Sequence, residues 1–476
     1  MRVLLIISFI SIGFSSNAQQ FFNNTYDWGA VEAGIGMEMI DDTLYTIGWT
    51  DDFVKRDLIL SKFDTNGNKI VDFTIIDSIS LDVGYLGFYV DHEDNIIGYG
   101  NVNAIDTIRA FTFKIKKSGE LVWSRYYTVN SLQMILLGGC VANDSNYVFC
   151  GYQYSPSNGN DFLFLKTDTL GNILDSSTYG GAGADIAFSI VPGVDSGYLM
   201  SGYNYSIEPN GNWHLVKVDE SGAFEWERDY GTSFGGEIAF VEAGKTGYWC
   251  YGLWSTASEY TGQITKLNTN GIIQNQIIFD QTDIYRANLY AGHELDDGSF
   301  IAAGTVHPPS LSDPQGWIVK VDSNCNEIWQ RRPDKRLNDH YIYDVEELGD
   351  SSLLFLGVVF ADAGFSQDLW LFRTDYYGCI DLGCNGIGIK EEIANISISA
   401  FPNPFSSSTT IQFESEIEIE KVIISDLMGK VILERLVLFR EGQIELDLNG
   451  FSPGIYLCSF VIGGHKARTV KLMLEP

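Results

Sequence analysis

The chain predicts an all-β protein, a seven-bladed β-propeller followed by a small β-sandwich of immunoglobulin-like type. Two observations predict the propeller. A Lys-x-Asp-x-x-Gly motif closes an apolar strand seven times, roughly every 50 residues. A strand ending near a Gly precedes each copy by about 15 residues. A third observation predicts the sandwich: over about the last 80 residues the repeat is absent, and short alternating strands run on behind Pro402-Asn403-Pro404. With 13% aromatic residues, 49 Gly and few runs of helix formers, the composition agrees with an all-β reading.

The chain opens with Arg2, an apolar run from Val3 to Phe14, and Ser16-Asn17-Ala18 before Gln19. A charged start, a short apolar stretch and small residues at the cleavage position make residues 1–18 a signal peptide. The apolar run is too short to cross a bilayer, and no other run is longer, so no membrane span is expected in the mature chain. A net charge of −32 sets aside nucleic acid and anionic membrane as partners.

The best copies of the repeat are Lys62-Phe63-Asp64 with Gly67, Lys166-Thr167-Asp168 with Gly171, and Lys217-Val218-Asp219 with Gly222. Looser copies are Lys114/Lys116/Gly119, Lys266/Asn268/Gly271, Lys320/Asp322/Cys325 and Arg373/Asp375/Gly378. The Gly landmarks before them are Gly48, Gly100, Gly151, Gly202, Gly252, Gly304 and Gly357. Each unit has room for about four short strands, the last often holding Trp (Trp123, Trp226, Trp329), which divides residues 19–384 into seven blades. The seventh unit stops at Gly378-Cys379 without a fourth strand, whereas residues 20–28 resemble one, so the N-terminal segment is expected to complete blade seven.

The repeated Lys-x-Asp reads as structural. Residues i and i+2 share a strand face, so the Lys stem covers apolar surface while its ammonium meets a carboxylate or carbonyl. The Asp then opens a turn by accepting from nearby backbone N–H groups, and the Gly takes the left-handed position. Seven Cys is an odd number for an oxidising compartment. Cys140 and Cys150 flank a turn and could face each other, Cys379 and Cys384 are close enough to clip the exit of the first domain, and Cys250, Cys325 and Cys458 have no evident mate; free buried thiols are expected ahead of any given bridge. No spacing fits zinc.

The candidate binding site is the channel mouth, where loops enter each innermost strand. Glu32, Asp82, Gln133, Asp185 and Glu237 hold that place, with Asp283 and Asp339 near it in the last two blades. Converging carboxylates would suit a divalent cation or a polyol, although acidic turn residues also cap their own loops. No resident cofactor is otherwise expected. Trp49, Trp213, Trp249, Trp254 and Trp317 are candidate sugar-stacking residues if they lie on the rim, although most aromatics in so aromatic-rich a propeller are expected to pack between blades. The sequence has no Gly-x-Ser-x-Gly elbow, phosphate loop or His pair at metal-ligand spacing, so no catalytic residue is assigned.

The tail carries the most specific motifs. Pro402-Asn403-Pro404, Thr409-Thr410-Ile411, Asp426-Leu427-Met428-Gly429-Lys430, Gly454-Ile455-Tyr456 and Lys471 occur in that order. Residues 396–476 thereby resemble the type A C-terminal sorting domain of the type IX secretion system; only the ending Leu472-Met473-Leu474-Glu475-Pro476 departs from its usual basic finish. The resemblance implies passage through the periplasm and across the outer membrane of a Bacteroidetes-type bacterium. It also implies contact with the translocon and a sortase-like peptidase that removes the tail, leaving the protein secreted or on the cell surface. Residues 385–395, with two Gly and a charged end, form the expected linker. The expected role is a non-enzymatic binding module for glycan or protein; the alternative is a carbohydrate-active hydrolase or lyase using channel carboxylates.

Overall fold

The computed structural model describes residues 21–27, 31–51, 56–79, 82–104, 107–128, 132–157, 159–206, 211–230, 238–255, 260–279, 286–308, 314–333, 339–360, 367–380, 397–414, 421–426, 430–436, 442–462 and 465–475. The signal peptide and the expected linker lie outside them. All named elements are strands, and two compact units result, Met1–Ile380 and Asp381–Pro476. Among the described residues no helix is long and apolar enough to cross a membrane.

The repeating units fold as four-stranded antiparallel sheets at 31–79, 82–127, 134–179, 185–230, 238–278 and 286–331. A seventh sheet joins three strands of 340–374 to Phe22–Tyr26, where Phe22 faces Arg373 and Tyr26 faces Leu369. A single parallel bridge, Tyr260 to Arg286, links sheets five and six. Each sheet shares a hydrophobic core with the next, and the seventh shares one with the first through Phe22, Met37, Leu44, Phe63, Leu356 and Leu371.

The landmark glycines have a steric cause. In each of sheets three, four, six and seven the first strand carries a register shift, between Leu136 and Gly138, Ala187 and Ser189, Leu289 and Ala291, and Ile342 and Asp344. The extra residue bends that strand towards its neighbour. A Cβ at Gly151, Gly202, Gly304 or Gly357 would then lie 1.9, 1.8, 1.9 or 2.0 Å from the carbonyl oxygen of Ile135, Ile186, Asn288 or Tyr341. Only Gly allows so close an approach.

The Lys-x-Asp-x-x-Gly turn is also explained. Asp64 Oδ1 accepts from the backbone N–H of Asn66 at 2.9 Å and of Asn68 at 2.8 Å. Asp168, Asp219, Asn268, Asp322 and Asp375 repeat the pair of bonds. The turn so fixed leaves carbonyls facing the preceding sheet. Lys166 Nζ donates to Glu220 O at 3.0 Å, Lys266 Nζ to Ser323 O at 3.1 Å, and an Arg373 Nη to Thr65 O at 2.8 Å. Each acceptor directly follows the turn-opening Asp of the next sheet. The hydroxyls of Tyr26, Tyr127, Tyr179 and Tyr230 donate to the turn Gly carbonyls of Gly67, Gly171, Gly222 and Gly271, again one sheet onward. The other copies end elsewhere. Lys62 lies over the Tyr45 and Phe73 rings, Lys114 Nζ donates to the Tyr147 hydroxyl at 2.8 Å beside Asp91, and Lys217 Nζ donates to Glu225 Oε2 at 2.9 Å within its own sheet. The Lys320 ammonium lies 3.1 Å from the Tyr376 ring centroid and 3.8 Å from Asp297 Oδ2, and burial pushes it down to about 8 against the Asp297 charge.

The cysteines partly correct the sequence reading. Cys379 is disulfide-bonded, and its expected mate Cys384 lies outside the described residues. Cys140 and Cys150 are free because the strand register sets Cys140 against Val148 and Cys150 against Gly138, not against each other. Cys250, Cys325 and Cys458 are free and buried.

In the second unit, Ser397–Phe401, Ser408–Glu414 and Gln443–Asp447 form one sheet, and Val431–Leu436, Lys421–Asp426, Gly454–Ile462 and His465–Leu474 form another. Both feed one core, with Ile411, Phe413 and Ile444 from the first sheet and Val422, Ile424, Phe460 and Leu472 from the second.

Two outcomes test these causes. Gly202→Ala is expected to cost about 3 kcal/mol in urea unfolding, because the added methyl meets backbone rather than a movable side chain. Gly349→Ala, where a Cβ meets nothing within 4 Å, is expected to stay within about 0.5 kcal/mol of the parent. Arg373→Met is expected to lower stability by about 2 kcal/mol, since it removes the bonds of buried Arg373 to Ser352 Oγ, Thr65 O and the more exposed Asp350 carboxylate; a loss below about 1 kcal/mol in the same assay would contradict the role given to this junction.

Candidate functional site

The first strands of the sheets gather an ionisable cluster that the sequence reading did not single out. Glu38 comes from sheet one, Glu242 from sheet five, His293 from sheet six, and Asp344 and Glu346 from sheet seven. In sheet seven the register shift at Ile342/Asp344 turns both Asp344 and Glu346 away from the core, with Val345 buried between them. Asp344 Oδ2 accepts from Met37 N–H at 2.8 Å, and Asp344 Oδ1 accepts from Val345 N–H at 2.9 Å. His293 Nδ1 lies 3.1 Å from Glu242 Oε1. Glu38 and Glu346 have no hydrogen-bond partner among the described residues, and both are half-buried.

The electrostatics follow from depth and like charge. Burial, then the Glu346 charge, pushes the Asp344 carboxyl up to about 7. Burial pushes Glu346 up to about 7 as well, with His293 opposing and Glu242 reinforcing the shift. Burial, Glu346 and Asp344 hold Glu38 well above the usual carboxylate range. Burial disfavours charge on His293, but its bond to Glu242 overrides that and raises it to about 9. Among the described residues no group of three or more His, Cys, Asp or Glu is placed to hold a metal ion.

The predicted mouth residues take varied places. Asp185 is fully buried and spent on its own loops: it accepts from Gly181 N–H at 2.9 Å, Tyr205 N–H at 3.1 Å, Ser206 N–H at 3.2 Å and Ser206 Oγ at 2.6 Å. Glu32 and Asp82 lie in first strands, opposite Thr50 and Asn103. Gln133 is exposed and its carbonyl accepts from Tyr154 N–H, while Asp339 is half-buried with its carbonyl accepting from Phe360 N–H. Glu237 and Asp283 lie outside the described residues. Of the candidate stacking tryptophans, Trp213, Trp249, Trp254 and Trp317 are buried, packed against rings such as Phe300 and Phe279, and take the interior role. The side chain of Trp49 is not among those described.

A signal for the missed cluster exists in the repeat. Glu38, Glu242, His293 and Glu346 all stand ten or eleven residues before the landmark glycines Gly48, Gly252, Gly304 and Gly357. An ionisable residue recurring at one inner-strand position is legible once the units are aligned.

In the tail the motif residues build a strand edge. Pro402 and Pro404 remove or constrain backbone donors, and the Asn403 side chain substitutes for them. Its Nδ2 donates to Lys471 O at 2.7 Å, and its Oδ1 accepts from Met473 N–H at 2.8 Å. Thr409 Oγ1 donates to Pro402 O at 2.6 Å, and Tyr456 OH to Ser452 O at 2.7 Å. Asp426 faces Tyr456 across the central strand pair. Lys430, Gly454 and Lys471 are exposed, and Gly429 lies outside the described residues.

Residues 399–475 match the family described as the secretion system C-terminal sorting domain, so this protein ends in a type IX sorting tail behind a β-rich region. The tail marks the chain for export to the cell surface or beyond it. No curated protein matches the chain in sequence. Among solved structures, PorZ, a surface component of the type IX secretion system of Porphyromonas gingivalis, is 11% identical with a TM-score of 0.32 over 93% of this chain and 59% of PorZ. Sqt1 from Chaetomium thermophilum is 13% identical with a TM-score of 0.46, over 75% of this chain and 86% of its own. The β-propeller domain of the trilobed protease from Pyrococcus furiosus is 10% identical with a TM-score of 0.43, over 74% and 97%.

The acid cluster predicts a pH dependence. Asp344 and Glu346 hold their protons more tightly folded than unfolded, so their contribution to stability is complete below about pH 4 and lost as pH rises through about 7. His293 acts in the same sense, its contribution present below about pH 6.5 and lost through about 9. Thermal melting is therefore expected to fall between pH 5.5 and pH 8.5, and Glu346→Gln is expected to flatten that slope; an unchanged slope in the variant would remove Glu346 from the account.

Proposed function

We propose that the seven sheets are the blades of a closed seven-bladed β-propeller, residues 19–384, and that this propeller is an exported ligand-binding module. Residues 1–18 direct it to the periplasm, residues 385–395 link it to the tail, and residues 396–476 form an immunoglobulin-like sandwich read by the type IX translocon and its peptidase. The match at residues 399–475 carries the export half of this reading. Closure is supported by Arg373 and Tyr26 reaching the turn of sheet one as their counterparts reach the turns of other sheets. The first strands then line an axial channel. Unpaired carboxylates held there cost stability, which favours a site kept for a ligand over a core built for rigidity.

One observation favours the hydrolase alternative. Asp344 and Glu346, raised to about 7, titrate where a general acid works. A ligand panel incubated with purified protein separates the two readings: saturable binding with no product supports the binding module, and hydrolysis abolished by Glu346→Gln replaces it.

For export, removal of residues 396–476 in the native host is expected to hold the protein in the periplasm, and mature surface protein is expected to end near the linker. Fractionation with C-terminal mass spectrometry measures both; secretion unaffected by the deletion would reverse the assignment.

A further inference from the structure

The sixth and seventh sheets carry an aromatic cluster at the start of their first strands, Arg286–Glu294 and His340–Glu347. Tyr290 and Tyr343 are the extra residues at the two register shifts, and each is half-buried beside core residues Leu289, Ala291 and Ile342. Strand alternation places Tyr343 on the same side as Tyr341. Their rings lie 6.2 Å apart and 8° from parallel, and Tyr290 stands 5.5 Å from Tyr343. Buried Asn288 donates to the Tyr290 hydroxyl at 2.7 Å, whereas the hydroxyls of Tyr341 and Tyr343 have no hydrogen-bond partner among the described residues. Arg286 faces His307 across the strand pair, and its guanidinium lies 5.5 Å from the Tyr260 ring centroid. Burial, then the Arg286 charge, holds His307 below its ordinary value, so its ring is neutral near pH 7 and both donates and accepts. The Asp339 charge is felt by both His307 and Tyr341.

We propose that this sector is a saccharide-binding platform in which Tyr290, Tyr341 and Tyr343 stack on sugar rings while Arg286, His307 and Asp339 bond the flanking hydroxyls. The inference rests on the propeller reading, which puts these residues at the mouth of the channel. The chemistry selects the ligand class. A small anion would meet the Asp339 carboxylate and a chain of net charge −32, and a small cation would meet Arg286. A neutral polyhydroxyl compound uses donors and acceptors together, and its C–H faces suit aromatic rings, two of which, Tyr341 and Tyr343, keep hydroxyls with no partner among the described residues. Convergent polar groups beside aromatic walls in a concave mouth are the usual make-up of such a site.

The test uses the full chain and a printed panel of neutral α- and β-linked glucose, mannose and galactose tetrasaccharides, followed by calorimetric titration of the strongest binder. Tyr341→Ala and Tyr343→Ala are each expected to weaken binding about tenfold or more. Tyr341→Phe, which keeps the ring, is expected to lose only about threefold. Gly349→Ala, where a Cβ meets nothing within 4 Å, is expected to leave affinity unchanged, and melting of every variant is recorded to show that it folds. Failure of all tetrasaccharides to bind at about 10 mM, or affinity indifferent to Tyr341 and Tyr343 in folded variants, overturns the platform. Binding that is lost in Glu346→Gln and kept in Tyr341→Ala overturns the platform but leaves the channel-binding function standing. Hydrolysis of the bound tetrasaccharide would instead overturn the non-enzymatic reading.

Discussion

Every junction between sheets depends on a hairpin turn that is rigid before its neighbour reaches it. The turn-opening Asp spends one carboxylate oxygen on two backbone N–H groups, and a Gly in the left-handed region closes the loop, as at Gly67 with φ 77° and Gly222 with φ 80°. With its donors satisfied internally, the turn presents carbonyls as fixed acceptors. The preceding sheet fills them with a buried cation at Lys166, Lys266 and Arg373, and with a tyrosine hydroxyl at Tyr26, Tyr127, Tyr179 and Tyr230. A Lys in this position loses solvation, and what offsets that loss is the carbonyl, a carboxylate such as Asp144 at 2.8 Å from Lys166, or the face of a ring. The same Gly that makes the turn also lets the neighbour's ring lie against it. A Cβ at Gly271 would fall 2.8 Å from Trp226, and one at Gly67 would fall 2.5 Å from Phe22.

The junction between sheets seven and one is chemically distinct. Its fourth strand comes from the far end of the chain, so the contact is made without covalent continuity between neighbouring strands. There the repeat replaces Lys with Arg373. The guanidinium fork bonds Ser352 Oγ at 2.8 Å, Thr65 O at 2.8 Å and the Asp350 carboxylate at once, which a point-charge ammonium does less well. Trp370 adds a bond from its indole N–H to Asn23 Oδ1 at 2.7 Å. The N-terminal strand is thus held by side chains as well as by its ladder.

What the sequence disclosed and what it withheld divide along physical lines. Strand periodicity, the landmark glycines and the turn-opening Asp were legible because each is local: the cause lies within a few residues of the effect. The pairing of Phe22–Tyr26 with the Arg373 strand was legible because one unit lacked a strand and the N-terminus resembled one. The targets of Lys166 and Lys266 were not, since each acceptor carbonyl lies about 55 residues downstream and belongs to a neighbour. The Cys140–Cys150 bridge that spacing allows does not form, because register and not spacing fixes which residues face each other. The tryptophans were ambiguous because size and aromaticity favour both rims and cores; here the cores took the four that are described. The acid cluster was missed for a different reason: in a chain this acidic, single carboxylates carry little information until the repeats are superposed.

Superposition also shows that the interior is lopsided. At the position of Glu346, sheets one, five, six and seven supply Glu38, Glu242, His293 and Glu346, whereas sheets two, three and four supply Tyr89, Cys140 and Val191 at the same spacing before their landmark glycines. An interior selected only for stability would repeat the apolar solution, because burying carboxylates without partners is unfavourable. Tyr290, Tyr341 and Tyr343 stand on two of the acidic sheets, on the very strands that carry His293 and Glu346. The register shift does not set these sheets apart, since sheets three and four share it and Phe188 fills the extra place in sheet four. The ionisable position does. Structural drift would scatter it among equivalent units, whereas it is kept in sheets five, six, seven and one, neighbours through their shared cores; that is the pattern expected where a ligand, and not the fold, has set the residues.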